Sequence, residues 1–365
     1  MRELYTDLVA AACEIENTWL AGNYDTDLFF ECVLKHLTEL DFSDLATVDA
    51  QMEVLRLPEV KALQTLSTFS NLYVKLFDNG RFWIEILNWD DLHVNAHDHD
   101  FSGVQFQLLG SALSIKHDFS IIERHGAFYA GQTSIRSGHL WEEGSNSIVR
   151  HGNIDPHTVL HLGSPSTSLI VRTHPTRRYG SQKNYFSDCA GHYDVNTIPM
   201  RKNLTALRLL GKRDCSSFSR QLTRLLKEQS LAENLFMLVN LDDICFEDEQ
   251  SSEIVLEYGS KGRNEGMLVK SVLKKNCSSF FTNIAQKYAH LGFDERLAIN
   301  TLSACYSIED FRRLEKDISD QRPASNLSRA VEVFAANIDD RDRKGLLKRL
   351  GVMGLEDVLK PRVAA

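Results

Sequence analysis

The chain has 365 residues, with 41 Lys and Arg against 50 Asp and Glu and a formal net charge of -9. At 43% hydrophobic and 25% charged residues it has the composition of a soluble globular protein, long enough for two or three domains. Basic residues cluster only in short groups such as "RTHPTRRYG" and "VLKKN". Without a basic face, nucleic acid is not an expected partner. Seven cysteines are dispersed with no C-x-x-C pair, which points to reduced thiols and a cytoplasmic setting. The N-terminus "MRELYTDLVAAACEIENTWL" carries acidic residues and no uninterrupted apolar core, so neither a signal peptide nor a membrane span is expected.

Residues 1–70 read as a helical region. "LYTDLVAAACEIENTWL", "DLFFECVLKHLTEL" and "DAQMEVLRLPEVKALQTLSTF" place apolar residues at three- and four-residue steps, with Pro58 at a break or in a first turn. Residues 71–178 change period. "GRFWIEILNW", "GVQFQLLGSALSI", "GAFYAGQTSI", "NSIVRHG", "HTVLHLG" and "TSLIVRTH" are short runs rich in β-branched and aromatic residues, separated by Gly, Asn, Asp, Ser and Pro. Such spacing predicts a sandwich or barrel, jelly rolls included. The stretch from about 175 to 200 is polar and irregular. Residues 200–365 are helical again, through "NLTALRLLGKR", "FFTNIAQKYAHLGF" and "ERLAINTLSACYSIEDFRRLEKDI".

The β region is rich in histidine: of 13 in the chain, six lie between 93 and 139 and four more follow by 174. In "HVNAHDH" His97 and His99 are two apart, so on a strand they share a face and can act as a pair of metal ligands. Asp98 then points the other way, toward solvent or a hydrogen bond. A third ligand must come from another strand, and His151 in "SIVRHGN" is the candidate. His157 lies four residues before His161 and would share its face as a supporting group. His93 reads as a strand-end residue, and His117, His125 and His139 as hairpin or loop residues. Arg172 and His174 end the last strand of the region.

Over residues 72–165 the order of motifs resembles the cupin superfamily, and within it the cysteine dioxygenase branch of thiol dioxygenases. Tyr73, Lys75, "FDNGRF", "IEILNW", "HVNAHDH" and "QLLG" follow the family order, and "LHLGSP" at 160–165 stands where the family has "LHLYSP". The resemblance implies an all-β cupin jelly-roll barrel flanked by N-terminal helices and a C-terminal helical region, α+β overall. It implies iron held by His97, His99 and His151. His161 would orient groups around the metal, and Tyr73 and Lys75 would stand near substrate. Neutral imidazoles suit Fe(II) and leave positions open, with Zn, Ni and Mn as alternatives.

Departures from the family pattern bear on substrate. The family's carboxylate-binding arginine falls on Lys75, which has the charge but not the bidentate fork. Its cross-linking cysteine falls on Gly103 or Val104, its tyrosine on Gly163 and its serine on Val159. The expected activity is therefore a mononuclear non-haem iron oxygenase that uses O2 on a small molecule, thiol or amine other than free cysteine. Phe106, Leu108 and Val159 are expected to shape the pocket. The alternatives are a metal-dependent isomerase or lyase, and a non-catalytic ligand-binding barrel. The C-terminal helices could serve a homo-oligomer or a protein partner.

Overall fold

The computed structural model of the chain describes residues 1–66, 70, 72–89, 93–163, 165–175, 181–186, 189–192, 197–241, 249–260 and 262–359. Four helices come first: α1 (Arg2–Ala21), α2 (Thr26–Leu37), α3 (Val48–Val54) and α4 (Pro58–Leu63). Local chemistry sets their starts. The Asp25 carboxylate accepts from the Leu28 N–H at 3.0 Å to cap α2, and Pro58 opens α4, where its missing N–H costs nothing.

Eleven strands follow among the described residues: β1 (Leu72–Asp78), β2 (Phe82–Trp89), β3 (His93–His99), β4 (Gly103–Leu109), β5 (Ala112–His125), β6 (Phe128–Trp141), β7 (Asn146–Val149), β8 (Gly152–His161), β9 (Ser166–Thr173), β10 (Lys183–Phe186) and β11 (Cys189–His192). One sheet has the order β1-β2-β9-β4-β7, and the other runs β10-β11-β6-β5-β8-β3 and closes on itself. Within these, β2-β9-β4-β7 faces β3-β8-β5-β6, and from β2 to β9 the chain changes sheet at every step except the β5–β6 hairpin. That is the order of an eight-stranded jelly roll, the architecture of cupins. The closure was not legible in the sequence. Strands β10 and β11 fall in the stretch read as irregular, and they extend the barrel region past the boundary expected at 178. Strands β5 and β6 are 14 residues each, longer than the jelly roll needs, and bulges at Lys116/His117 and Ile121/Glu123 bend them. Their far halves lead through β11 and β10 back to β3, where Asn184 pairs with His97.

Helices cover both outer faces. Leu8, Ile15, Phe29 and Val33 of α1 and α2 pack on Phe82, Ile84 and Ile86 of β2 and on Val104, Phe106 and Leu108 of β4. Each side chain so buried contributes about 1.5–3 kcal/mol. The C-terminal helices are α5 (Ile198–Arg213), α6 (Cys215–Glu228), α7 (Leu231–Val239), α8 (Glu249–Gly259), α9 (Arg263–Lys287), α10 (Phe293–Ala304), α11 (Ile308–Gln321), α12 (Leu327–Asn337) and α13 (Asp340–Met353). A capping box between Ser230 and Glu233 starts α7, and Gly354 at φ 67° ends α13 in the left-handed region. Helices α9–α12 bury Phe281, Leu302, Phe311 and Val331 with Leu113, Ile115, Ile135 and Leu160 of the second sheet. Polar contacts tie α11 to β6: the Asp317 carboxylate accepts from the Gly138 N–H at 2.9 Å, and Arg313 donates to the Ile135 carbonyl at 2.6 Å. Among the described residues no helix is long and apolar enough to cross a membrane. The six described cysteines form no disulfide among the described residues; Cys245 lies outside them.

Candidate metal centre

Every second residue of the facing strands points into the space between the sheets. On β2 these are Glu85, Leu87 and Trp89; on β8 they are His157, Val159 and His161; on β9 they are Ile170 and Arg172. With His97, His99 and Phe101 they line a cavity of about 30 Å³. One water needs about 10–15 Å³, so the space is small.

Three imidazoles converge there. Ligand atoms of His97, His99 and His157 all lie within 4.8 Å of one another, and the three residues are buried. His99 Nε2 and His157 Nε2 are 3.2 Å apart. Two nitrogens each about 2.1 Å from a shared ion, at a tetrahedral or octahedral angle, would stand about 3.0–3.4 Å apart. His99 Nδ1 is buried and has no hydrogen-bond partner among the described residues. Burial holds the His99 imidazole well below its ordinary range, with His97, His157 and Arg172 adding to the effect. Burial likewise lowers His157, helped by His97, Lys116 and His117. Both rings are therefore neutral at pH 7 and present lone pairs, the form in which histidine binds metal. The donor set fits a single divalent transition ion.

His97 and His99 thus come together as the H-x-H spacing implies, but the third member is His157. His151, expected in that place, is set outside the cluster by the register of β3 and β8. Gly152 pairs with His99 and adopts φ 63°, which leaves His151 in the bend before the strand. There its Nδ1 lies 2.8 Å from Ser102 Oγ. His157 pairs with His97 across the same ladder. Its position four residues from His161 was the available signal, since both must face the interior if either does.

The other expected residues are spread around this point. His161 lines the cavity, held by a 3.0 Å contact from Nδ1 to Ser166 Oγ and stacked on Trp89 at 4.9 Å. Tyr73, opposite Leu87 on the neighbouring strand, packs against Leu87 and Ile170 without lining the cavity, and burial and the Glu85 carboxylate raise its pKa. Lys75 is buried but turned away: Nζ binds Asp78 Oδ2 at 2.8 Å and lies over the Trp83 ring. Phe106 and Leu108 also face away, toward the N-terminal helices, and only Val159 of the three expected wall residues lines the cavity. Gly103 has no room for a side chain, because a Cβ there would lie 2.6 Å from the Val171 carbonyl oxygen. Asp98 points outward and is buried, accepting from Lys183 N–H at 2.6 Å, Lys183 Nζ at 2.7 Å and Tyr185 Oη at 2.8 Å.

One feature of the wall went unread in the sequence. The Glu85 carboxylate, fully buried, pairs with Arg172 Nε at 2.8 Å and accepts from the Trp83 indole N–H. Arg172 in turn lies between the Trp83 and Phe101 rings, 4.4 and 4.5 Å from their centroids. The lone acid in "FWIEILNW" was the available signal, since a charge amid apolar residues needs a buried partner.

Strand order and histidine cluster together define a cupin-type barrel with a site able to hold one metal ion. No protein-family model matches the chain, and no curated protein matches it. Among solved structures, TT1209 from Thermus thermophilus is 16% identical, matched over 31% of this chain and 91% of its own, with a TM-score of 0.21. A Klebsiella pneumoniae protein with a double-stranded β-helix domain is 11% identical over 38% and 93%, TM-score 0.22. Oxalate oxidase in complex with glycolate is 11% identical over 42% and 74%, TM-score 0.25. The jelly-roll assignment itself rests on the strand order.

Proposed function

We propose that the chain is a mononuclear non-haem iron oxygenase acting with O2 on a small molecule. The observation that carries this reading is the convergence of His97, His99 and His157, all buried and the last two neutral, in one cavity between the sheets. Iron there would supply a redox centre with positions open to O2 and to a substrate donor atom. The chain's own residues would do the rest. His161, fixed by Ser166 and Trp89, presents a ring of set orientation to whatever enters. Leu87, Val159 and Ile170 give the site an apolar wall against which a substrate group would pack. The Glu85–Arg172 pair neutralises itself, so the wall offers polarity without net charge. The cavity admits one small substrate group at a time. With His157 rather than His151 as the third ligand, and Gly103 where the cysteine dioxygenases carry a cysteine, this reading takes no substrate from that branch.

The test is metal analysis of protein purified without O2, then reconstitution with Fe(II), Mn(II), Ni(II) or Zn(II) and an O2-uptake screen over small thiols, amino acids and carboxylates. Stoichiometric iron with substrate-dependent O2 uptake is the expected result. Tight binding of a metal with no O2 uptake across the screen would replace the oxygenase with a metal-dependent isomerase or lyase. Failure to bind any of the four ions would sink the metal reading altogether.

A further inference from the structure

A second cavity, about 190 Å³, lies outside the barrel between the second sheet and the C-terminal helices. Its floor is the outer face of the strands that carry the histidines: Ala96 of β3, and Thr158 and Leu160 of β8. Its other wall is α9 and α10, which contribute Lys275, Ser278, Thr282 and Ser303. The cavity inside the barrel is only about 30 Å³, so the outer one admits a whole small molecule where the barrel admits a group.

The lining specifies a chemistry. Lys275 is its only charged residue, no carboxylate lines it, and Lys275 has no ion pair among the described residues. In a chain of net charge -9 that is a local positive site. Three hydroxyls of the helical wall are committed as donors: Ser278 Oγ donates to the Ser303 carbonyl, Thr282 Oγ1 to the Ser278 carbonyl at 3.0 Å, and Ser303 Oγ to the Asn300 carbonyl at 2.7 Å. A hydroxyl that has spent its proton can still accept, so these three offer acceptors to donors on a ligand.

We propose that this cavity binds a small polyhydroxylated organic anion, its anionic group on Lys275 and its hydroxyls donating to the α9–α10 wall. The site is distinct from the barrel centre and independent of the reaction proposed there. Phosphorylated and carboxylated polyols share the required chemistry.

Isothermal titration of the full chain with glucose 6-phosphate, gluconate, inorganic phosphate and glucose tests it. At least one of the first two is expected to bind at least tenfold more tightly than both inorganic phosphate and glucose. Preference between the two assigns the anion as phosphate or carboxylate. Lys275→Met is expected to weaken that binding at least tenfold and Lys275→Arg to retain most of it, while His97→Ala leaves it unchanged. Thermal melts of each variant alone confirm that folding is intact. Glucose or inorganic phosphate binding as tightly as the organic anions, loss on His97→Ala but not on Lys275→Met, or no binding by any probe at millimolar concentration would each overturn the proposal.

Discussion

Replacing His157 by alanine separates the structural assignment of the third ligand from the alternative at His151. A structural zinc site of four ligands binds with about 10–16 kcal/mol, so one imidazole is worth about 3 kcal/mol, roughly 150-fold in affinity. At a metal concentration 100 times the dissociation constant of the unaltered protein, binding stabilises the fold by about 2.7 kcal/mol. With an unfolding entropy of about 2.1 cal/mol/K per residue, a chain of 365 residues unfolding as one unit gains about 3–4 °C. At the same metal concentration the His157→Ala protein would be less than half saturated and would gain less than about 1 °C. His151→Ala removes a side chain that contacts Ser102 and lies outside the histidine cluster, and is expected to keep nearly the whole shift. Thermal melts with and without Fe(II), Mn(II) or Zn(II), paired with metal analysis after gel filtration, read both variants. If His151→Ala abolished the shift while His157→Ala preserved it, the assignment from the β3–β8 register would be wrong.

Three further outcomes are expected. His117 is buried with Nε2 2.9 Å from Thr158 Oγ1, and burial, with Arg136 nearby, lowers its pKa to about 4. Above pH about 6.5 the ring is neutral folded or unfolded; below it only the unfolded chain takes up the proton, so stability falls by about 3 kcal/mol on reaching pH 4. Denaturant melts at pH 7 and pH 4 check this, and His117→Gln should shrink the difference between them. Glu85→Leu strands the Arg172 charge in the barrel wall and is expected to cost about 3 kcal/mol, most of it recovered in Glu85→Leu/Arg172→Met. A double variant no more stable in urea than the single one would contradict the pairing. Tyr185→Phe removes a hydrogen bond to the buried Asp98 carboxylate and is expected to cost about 1.5–3 kcal/mol by the same assay. An unchanged midpoint would mean that Asp98 is held by Lys183 alone.

Much of this architecture was legible in the chain itself. The change from helical period to short alternating runs near residue 72, and back near 200, follows from apolar spacing. So does the shared face of His97 and His99, because successive strand residues alternate sides whatever the surroundings. Alternation also marks Val104, Phe106 and Leu108 as one face of β4 and Gln105 and Gln107 as the other. It does not say which face is inner, because helices bury the outer side as thoroughly as the second sheet buries the inner one. Only tertiary packing decided that the apolar face turns to the N-terminal helices, while Gln107 turns inward and donates to Ser166 Oγ at 2.9 Å. The third histidine was undecidable for a related reason. His151 and His157 lie on opposite sides of Gly152, and the choice between them rests on the bulged pairing of β3 with β8, a contact between distant strands. Strands β10 and β11 are four residues each. They are too short to show a period, and they become strands because the overlong β5–β6 hairpin and the edge of β3 leave backbone groups for them to pair.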